Sequence, residues 1–300
     1  MKNITRILTL KNGYHLWTHT FNLGGKDKLL CLHGGPGDTH EVFERFGQEL
    51  EDLDIEVTMY DQLGAWYSDT PNWDDPKIFK KYMNEDYYLN EVEEVRHLLG
   101  YDKFYLAGHS WGGMLAMMYT NSYQEHLKGL IIISMIDNIP DYLVHMKEIR
   151  QKEFTPAENS FLEDIERREQ WDNPKYQESI AFLYNEYINR RQPSKMSHVI
   201  DIQSKEVYNY FQGNNEFVVV GDLGDWDYSE QIKNFKIPTL LSFADHETMP
   251  LKTARKMQQS IPNSRLVVTP DAGHNQMIDN PDVFFTNLKN YFLDIRTNKF

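Results

Sequence analysis

Tyr105-Leu106-Ala107-Gly108-His109-Ser110-Trp111-Gly112-Gly113 is the stretch whose reading decides the fold. A short apolar run stops at a glycine, a serine follows two residues on, and two more glycines open an apolar segment of helical spacing. In the pattern G-x-S-x-G a strand turns sharply into a helix and lifts the serine hydroxyl above a sheet. The motif is weak alone, and its setting gives it weight. It lies between a strand pattern (Lys103 to Ala107) and a helix pattern (Met114 to Tyr119). Gly108 and Gly112 leave room where the two backbones crowd, and the serine must take a strained backbone conformation.

Upstream, Ile4 to Leu10 and Tyr14 to Thr20 flank Lys11-Asn12-Gly13 and predict an antiparallel hairpin. Lys28 to Leu32 is a buried-strand pattern running into His33-Gly34-Gly35-Pro36-Gly37. A helix is expected over Val42 to Leu53. A strand follows over Glu56 to Tyr60, ending in Asp61-Gln62-Leu63-Gly64. Asn84 to Leu99 carries Tyr88, Val92, Val95 and Leu99 at helical spacing, and Gly129 to Ser134 reads as the next strand. This alternation builds a mostly parallel sheet covered on both faces. The rhythm stops at 135–228, where helical patterns around 142–152, 160–170 and 176–190 contain no buried-strand run. It returns with a strand at Ile237 to Phe243, a helix at Lys252 to Ser260, a strand at Arg265 to Thr269 and a last helix at Val283 to Ile295. The expected organisation is an α/β-hydrolase core from 1–134 and 229–300, with a helical lid inserted over 135–228.

Composition sets bounds on partners. With 300 residues and 40% apolar content the chain can bury a large core. Forty-five acidic against 31 basic residues give a net charge of −14, which argues against nucleic acid or an anionic membrane as partner. The single cysteine, Cys31, excludes an internal disulfide, and its flanking leucines suggest a buried thiol. Lys2 and Arg6 interrupt the first ten residues, so no signal-peptide core is expected there. No run of about 18 apolar residues is present. The chain reads as a soluble cytoplasmic protein. No cluster has metal-ligand spacing, so neither metal nor other cofactor is expected.

A serine hydroxyl needs a base within hydrogen-bond reach and an acid that orients the base. Among the 11 histidines, His274 lies in a glycine-containing loop after the last strand, and the order Ser, acid, His is that of an α/β-hydrolase. The acid has two candidates in Phe243-Ala244-Asp245-His246-Glu247-Thr248. Ala244 in the position of a strand-closing glycine places Glu247 at the acid. Asp245 is the more usual residue type but falls two residues early. The developing oxyanion needs two N–H donors. Trp111 supplies one at the start of a helix, and Gly35 is the choice for the other because Pro36 has no N–H to offer.

His33-Gly34-Gly35-Pro36-Gly37, Tyr60-Asp61-Gln62-Leu63-Gly64 and Gly108-His109-Ser110-Trp111-Gly112-Gly113 together resemble the proline iminopeptidase (prolyl aminopeptidase) family. Through Asn173-Pro174-Lys175-Tyr176 and Asn214-Asn215-Glu216-Phe217 the resemblance extends to its tricorn-interacting aminopeptidase branch, over nearly the whole chain. It implies a serine peptidase that releases an N-terminal residue, preferably proline, from short peptides. In that branch the acid stands 27 residues before the histidine, which points to Glu247. Two departures are present. The run Asp61-Gln62-Leu63-Gly64-Ala65-Trp66-Tyr67-Ser68 lacks the family's second glycine, and Thr248 stands where the branch has a glutamate that helps hold the substrate amine. A carboxylate must then read the free amine from elsewhere, and Glu216 is the candidate. Trp66, Phe217 and Trp226 are candidates for an apolar pocket. The alternative reading is a serine hydrolase of small amides or esters that requires no free amine.

Overall fold

The computed structural model describes residues 2–191 and 202–300. Eight strands form one sheet: β1 (Ile4–Thr9), β2 (His15–Phe21), β3 (Asp27–Leu32), β4 (Ile55–Tyr60), β5 (Phe104–His109), β6 (Leu127–Ile133), β7 (Thr239–Ala244) and β8 (Ser264–Thr269). Their spatial order is β1-β2-β4-β3-β5-β6-β7-β8; β1–β2 and β2–β4 pair antiparallel and every later pair is parallel. The central strands are buried along their whole length, as a sheet covered on both faces requires.

The pleat divides each strand between two cores. On β3, Leu29 and Cys31 join the core that also holds Phe46, Phe284, Leu288 and Phe292, whereas Leu30 and Leu32 join the one that holds Val92, Val95, Met114 and Met117. Cys31 is a free, fully buried thiol whose pKa burial pushes well up. Helices in chain order are α1 (Glu44–Glu49), α2 (Pro76–Tyr82), α3 (Glu85–Leu99), α4 (Trp111–Tyr123), α5 (Ile139–Glu153), α6 (Pro156–Arg167), α7 (Pro174–Tyr187), α8 (Lys205–Phe211), α9 (Leu251–Ser260), α10 (Gln276–Asp279) and α11 (Pro281–Arg296). The segment between β6 and β7 contains α5 to α8 and no strand of the sheet; residues 192–201, part of the expected insertion, lie outside the described residues.

Local chemistry explains most helix limits. Asn84 caps α3, its Oδ1 accepting the N–H of Tyr87 at 2.9 Å, and Gly100 closes it in a left-handed conformation at φ 71°. The helix α2 was not expected, although Asp75 caps it and Pro76 opens it. The helix expected over Val42 to Leu53 is broken. Only Glu44–Glu49 is α-helical, with 3₁₀ turns at His40–Phe43 and Glu51–Leu53. Here Gly47 lies so close to the Phe21 ring that no side chain fits, and Asp54 turns left-handed at φ 53° to enter β4. Packing against the sheet overrides the helical spacing at this point. Among the described residues no helix is long and apolar enough to cross a membrane.

Candidate active site

Ser110 stands between β5 and α4 with φ 53° and ψ −123°, a conformation that costs on the order of 1–3 kcal/mol for a residue with a side chain. The surroundings impose it. A Cβ on Gly108 would run into the carbonyl of Gly112, and one on Gly112 would run into the carbonyl of Leu32. The Ser110 N–H donates to the Ile133 carbonyl at 3.0 Å, pinning the turn to β6. The turn therefore sits at the carboxyl edge of the sheet. The neighbouring loops emerge beside it, because Leu32 is in register with Gly108 and Ala244 with Thr269.

The loops after β7 and β8 bring His274 and Glu247 together. Nδ1 of His274 lies 3.3 Å from Oε2 of Glu247 and 3.3 Å from Oγ1 of Thr248. The other oxygen of Glu247 accepts the Ala244 N–H at 2.5 Å, which fixes the carboxylate plane. Asp245 faces away. Its Oδ1 lies 2.9 Å from Nδ1 of His246 and accepts the Ala272 N–H, so it holds the neighbouring loop and not His274. Burial depresses the His274 pKa to about 4. The imidazole is thus neutral at pH 7, and with Nδ1–H toward Glu247 its lone pair is on Nε2. That Nε2 is buried and has no hydrogen-bond partner among the described residues, and His274 and Ser110 line one cavity. Burial also pushes Glu247 upward, opposed first by the Ala244 N–H.

A buried network joins the H-G-G-P-G loop to the start of α4. The Gln62 N–H donates to Nε2 of His33 at 3.0 Å, so the proton of His33 sits on Nδ1, which is 3.0 Å from the Gly34 carbonyl. The Gln62 side chain donates to the His33 carbonyl at 3.1 Å and accepts from Nε1 of Trp111 at 2.8 Å. One glutamine thereby ties the H-G-G-P-G loop to the first residue of α4. Gly35 sits at φ 103°, which glycine alone adopts without strain. Gly35 and Trp111 thus flank Ser110, with Gly35 and Ser110 both lining the cavity.

The segment between β6 and β7 covers this edge. Tyr184, Ile188, Asn189, Gln203, Tyr208 and Glu216 line the cavity together with Ser110. The end of α7 is bonded to the histidine loop: the His274 N–H donates to the Tyr187 carbonyl at 2.8 Å and the Asn275 N–H to that of Ile188 at 3.0 Å. Glu216 enters the cavity and accepts from the Tyr208 hydroxyl at 2.7 Å, and burial raises its pKa to about 7. The aromatic pocket expected from Trp66, Phe217 and Trp226 does not form there. Trp66 is 41% exposed, Phe217 is buried against Tyr184 and Tyr187, and Trp226 stacks on Tyr228. Tyr184, Tyr208, Ile188 and Val42 supply the apolar surface instead. Sequence reasoning missed Asp38, a second carboxylate on the cavity, raised to about 6 by burial. Its place directly after H-G-G-P-G was the available signal.

A family model described as alpha/beta hydrolase fold matches residues 28–281. A proline iminopeptidase of Flavobacterium johnsoniae is 32% identical over 95% of this chain and 96% of its own length. Another, of Elizabethkingia meningoseptica, is 33% identical over 98% and 99%. The crystal structure of the proline iminopeptidase of Mycobacterium smegmatis superposes with a TM-score of 0.87, covering 97% of this chain and 98% of that one at 23% identity, a likeness of fold. With the full-length sequence relatives, these matches establish that the chain belongs to the proline iminopeptidase family of α/β-hydrolases.

Proposed function

We propose that this protein is a serine aminopeptidase that releases an N-terminal residue, preferably proline, from short peptides, and that 135–228 acts as the lid over its site. The observation that carries the reading is the buried, unpartnered Nε2 of neutral His274, which shares a cavity with the strained Ser110. Ser110 Oγ attacks the scissile carbonyl carbon and its proton passes to Nε2 of His274. The carbonyl oxygen takes the electron pair and is held by the N–H groups of Gly35 and Trp111. When the C=O bond re-forms, the C–N bond breaks, and His274 gives its proton to the leaving amine. Water, deprotonated by His274, then attacks the acyl carbon, and as the ester C–O bond to Ser110 breaks His274 returns the proton to Oγ. Glu247 holds the Nδ1 proton and balances the transient imidazolium.

Glu216 reads the free amine in this scheme. A prolyl ammonium entering the cavity meets a carboxylate with no cationic side chain beside it among the described lining residues. Glu216→Gln keeps the shape and removes the charge. The loss of one partner of such a pair is about 2–5 kcal/mol, so kcat/KM on prolyl-β-naphthylamide is expected to fall about 30- to 4,000-fold. N-acetylprolyl-β-naphthylamide is the control. A hydrolase of small amides or esters would cut it as readily as the free amine, and the aminopeptidase would not.

The pH dependence carries a sign. Only the ionised carboxylate attracts the ammonium, so attraction is full above the raised pKa of Glu216 and is lost as the pH falls through about 7. The KM for the prolyl substrate is expected to rise from pH 8 to pH 6, approaching about tenfold per unit. Over the same range kcat should hold, because His274 stays neutral down to about 4. A KM that is flat from pH 8 to pH 6 would remove Glu216 from amine recognition. Net charge of −14 and the single buried cysteine support work in the cytoplasm, without nucleic acid or membrane as partner.

A further inference from the structure

We propose that Asp38 is a specificity-determining residue whose carboxylate, placed beside the oxyanion loop, slows turnover of every substrate that brings no cation into the cavity. The inference rests on the serine mechanism above and adds a filter to it. Asp38 immediately follows the loop, and its N–H donates to the Gly34 carbonyl at 3.4 Å. Its carboxyl carbon fills the space beside Gly35, where a Cβ would lie 3.3 Å away. The side chain is half-buried, faces the cavity, and is held by Nε2 of Gln203 at 2.5 Å. A negative charge is thus fixed close to the donors that must stabilise another negative charge.

The other described groups facing the cavity do not cancel it. They are Glu216, Tyr184, Tyr208, His109 and His274. Burial lowers His109 to about 3 and His274 to about 4, so both imidazoles are neutral at pH 7. Among the described residues lining the cavity there is no lysine or arginine. With Asp38 and Glu216 ionised the described lining of the site is anionic, and His274 presents its unpartnered Nε2 to the same space. An N-terminal ammonium neutralises this field before the oxyanion forms; a neutral acyl group does not. The repulsion between a fixed carboxylate and an oxyanion several ångströms away is expected to slow neutral substrates on the order of 10- to 100-fold. Discrimination then comes from repulsion of the wrong substrate as well as attraction of the right one.

The test compares prolyl p-nitrophenyl ester with cyclopentanecarboxylic acid p-nitrophenyl ester, which keeps the ring and lacks the amine. Asp38→Asn is expected to lower kcat/KM on the prolyl ester and to raise it about 10- to 100-fold on the cyclopentane ester at pH 8. A fall on both esters, or no change on the cyclopentane ester, overturns the filter. A pH profile gives a second measurement, read in the unmodified protein and in Glu216→Gln. In the unmodified protein kcat/KM on the cyclopentane ester should rise as the pH falls from 7 to 5, while Asp38 takes up its proton near 6. In Glu216→Gln the rise should remain and be centred there, and its absence in that variant overturns the proposal. Failure of the underlying mechanism shows separately, as failure of the unmodified protein to be labelled by a fluorophosphonate.

Discussion

Ser110→Ala is expected to reduce kcat on prolyl-β-naphthylamide by about 10⁴-fold or more, since removal of a serine nucleophile alone costs about as much as removal of a whole triad. The structure gives the reason for expecting so complete a loss. The backbone strain at Ser110, the glycines packed around it and the bond from its N–H to Ile133 serve to hold one side chain at the carboxyl edge of the sheet. Alanine retains that backbone and removes only the oxygen. The variant should therefore unfold within a few degrees of the wild type, because Ser110, though buried, lines the cavity and its alanine variant keeps the backbone bond to Ile133. Fluorophosphonate labelling should vanish with the activity. Retention of a tenth of the wild-type kcat would end the serine mechanism.

The second large effect separates two carboxylates that are two residues apart. Glu247→Gln is expected to lower kcat by about 10⁴-fold with KM nearly unchanged, the size found when the orienting acid of a serine protease is turned into its amide. An amide at this position can present N–H to Nδ1, favouring the imidazole tautomer that has no lone pair toward Ser110. Asp245→Asn should cost about tenfold or less, because its carboxylate is engaged by His246 and the Ala272 N–H and stands apart from His274. The two variants are to be assayed side by side under saturating and limiting substrate. If Asp245→Asn is the inactive one and Glu247→Gln turns over normally, the acid assignment is reversed.

What the sequence determined by itself is local. The alternation of buried runs with helical spacing specified the sheet and its covering helices, since periods of 2 and 3.6 are properties of the chain alone. The elbow was legible because Gly108 must clear the carbonyl of Gly112, a steric demand inside the motif, although Gly112 itself must clear the carbonyl of Leu32 from β3. The H-G-G-P-G loop was legible for a similar reason, as Pro36 can offer no N–H. Between Asp245 and Glu247 the spacing to His274 pointed to Glu247, and the loop after β7 sets Glu247 beside that histidine while Asp245 turns to His246. Tertiary structure also moved the expected aromatic pocket: Phe217 is consumed by packing against Tyr184 and Tyr187, while Tyr184 and Tyr208 line the cavity. The helix expected over 42–53 stops being α-helical after Glu49, and Asp54 turns left-handed to deliver the chain into β4. Asp38 shows the limit most clearly. In sequence only its place after H-G-G-P-G set it apart among the 45 acidic residues, and only the fold puts it on one cavity with Glu216, with no compensating cation among the described lining residues. Burial and mutual placement are long-range properties, and it is these that turn an ordinary carboxylate into one that senses the charge of a substrate.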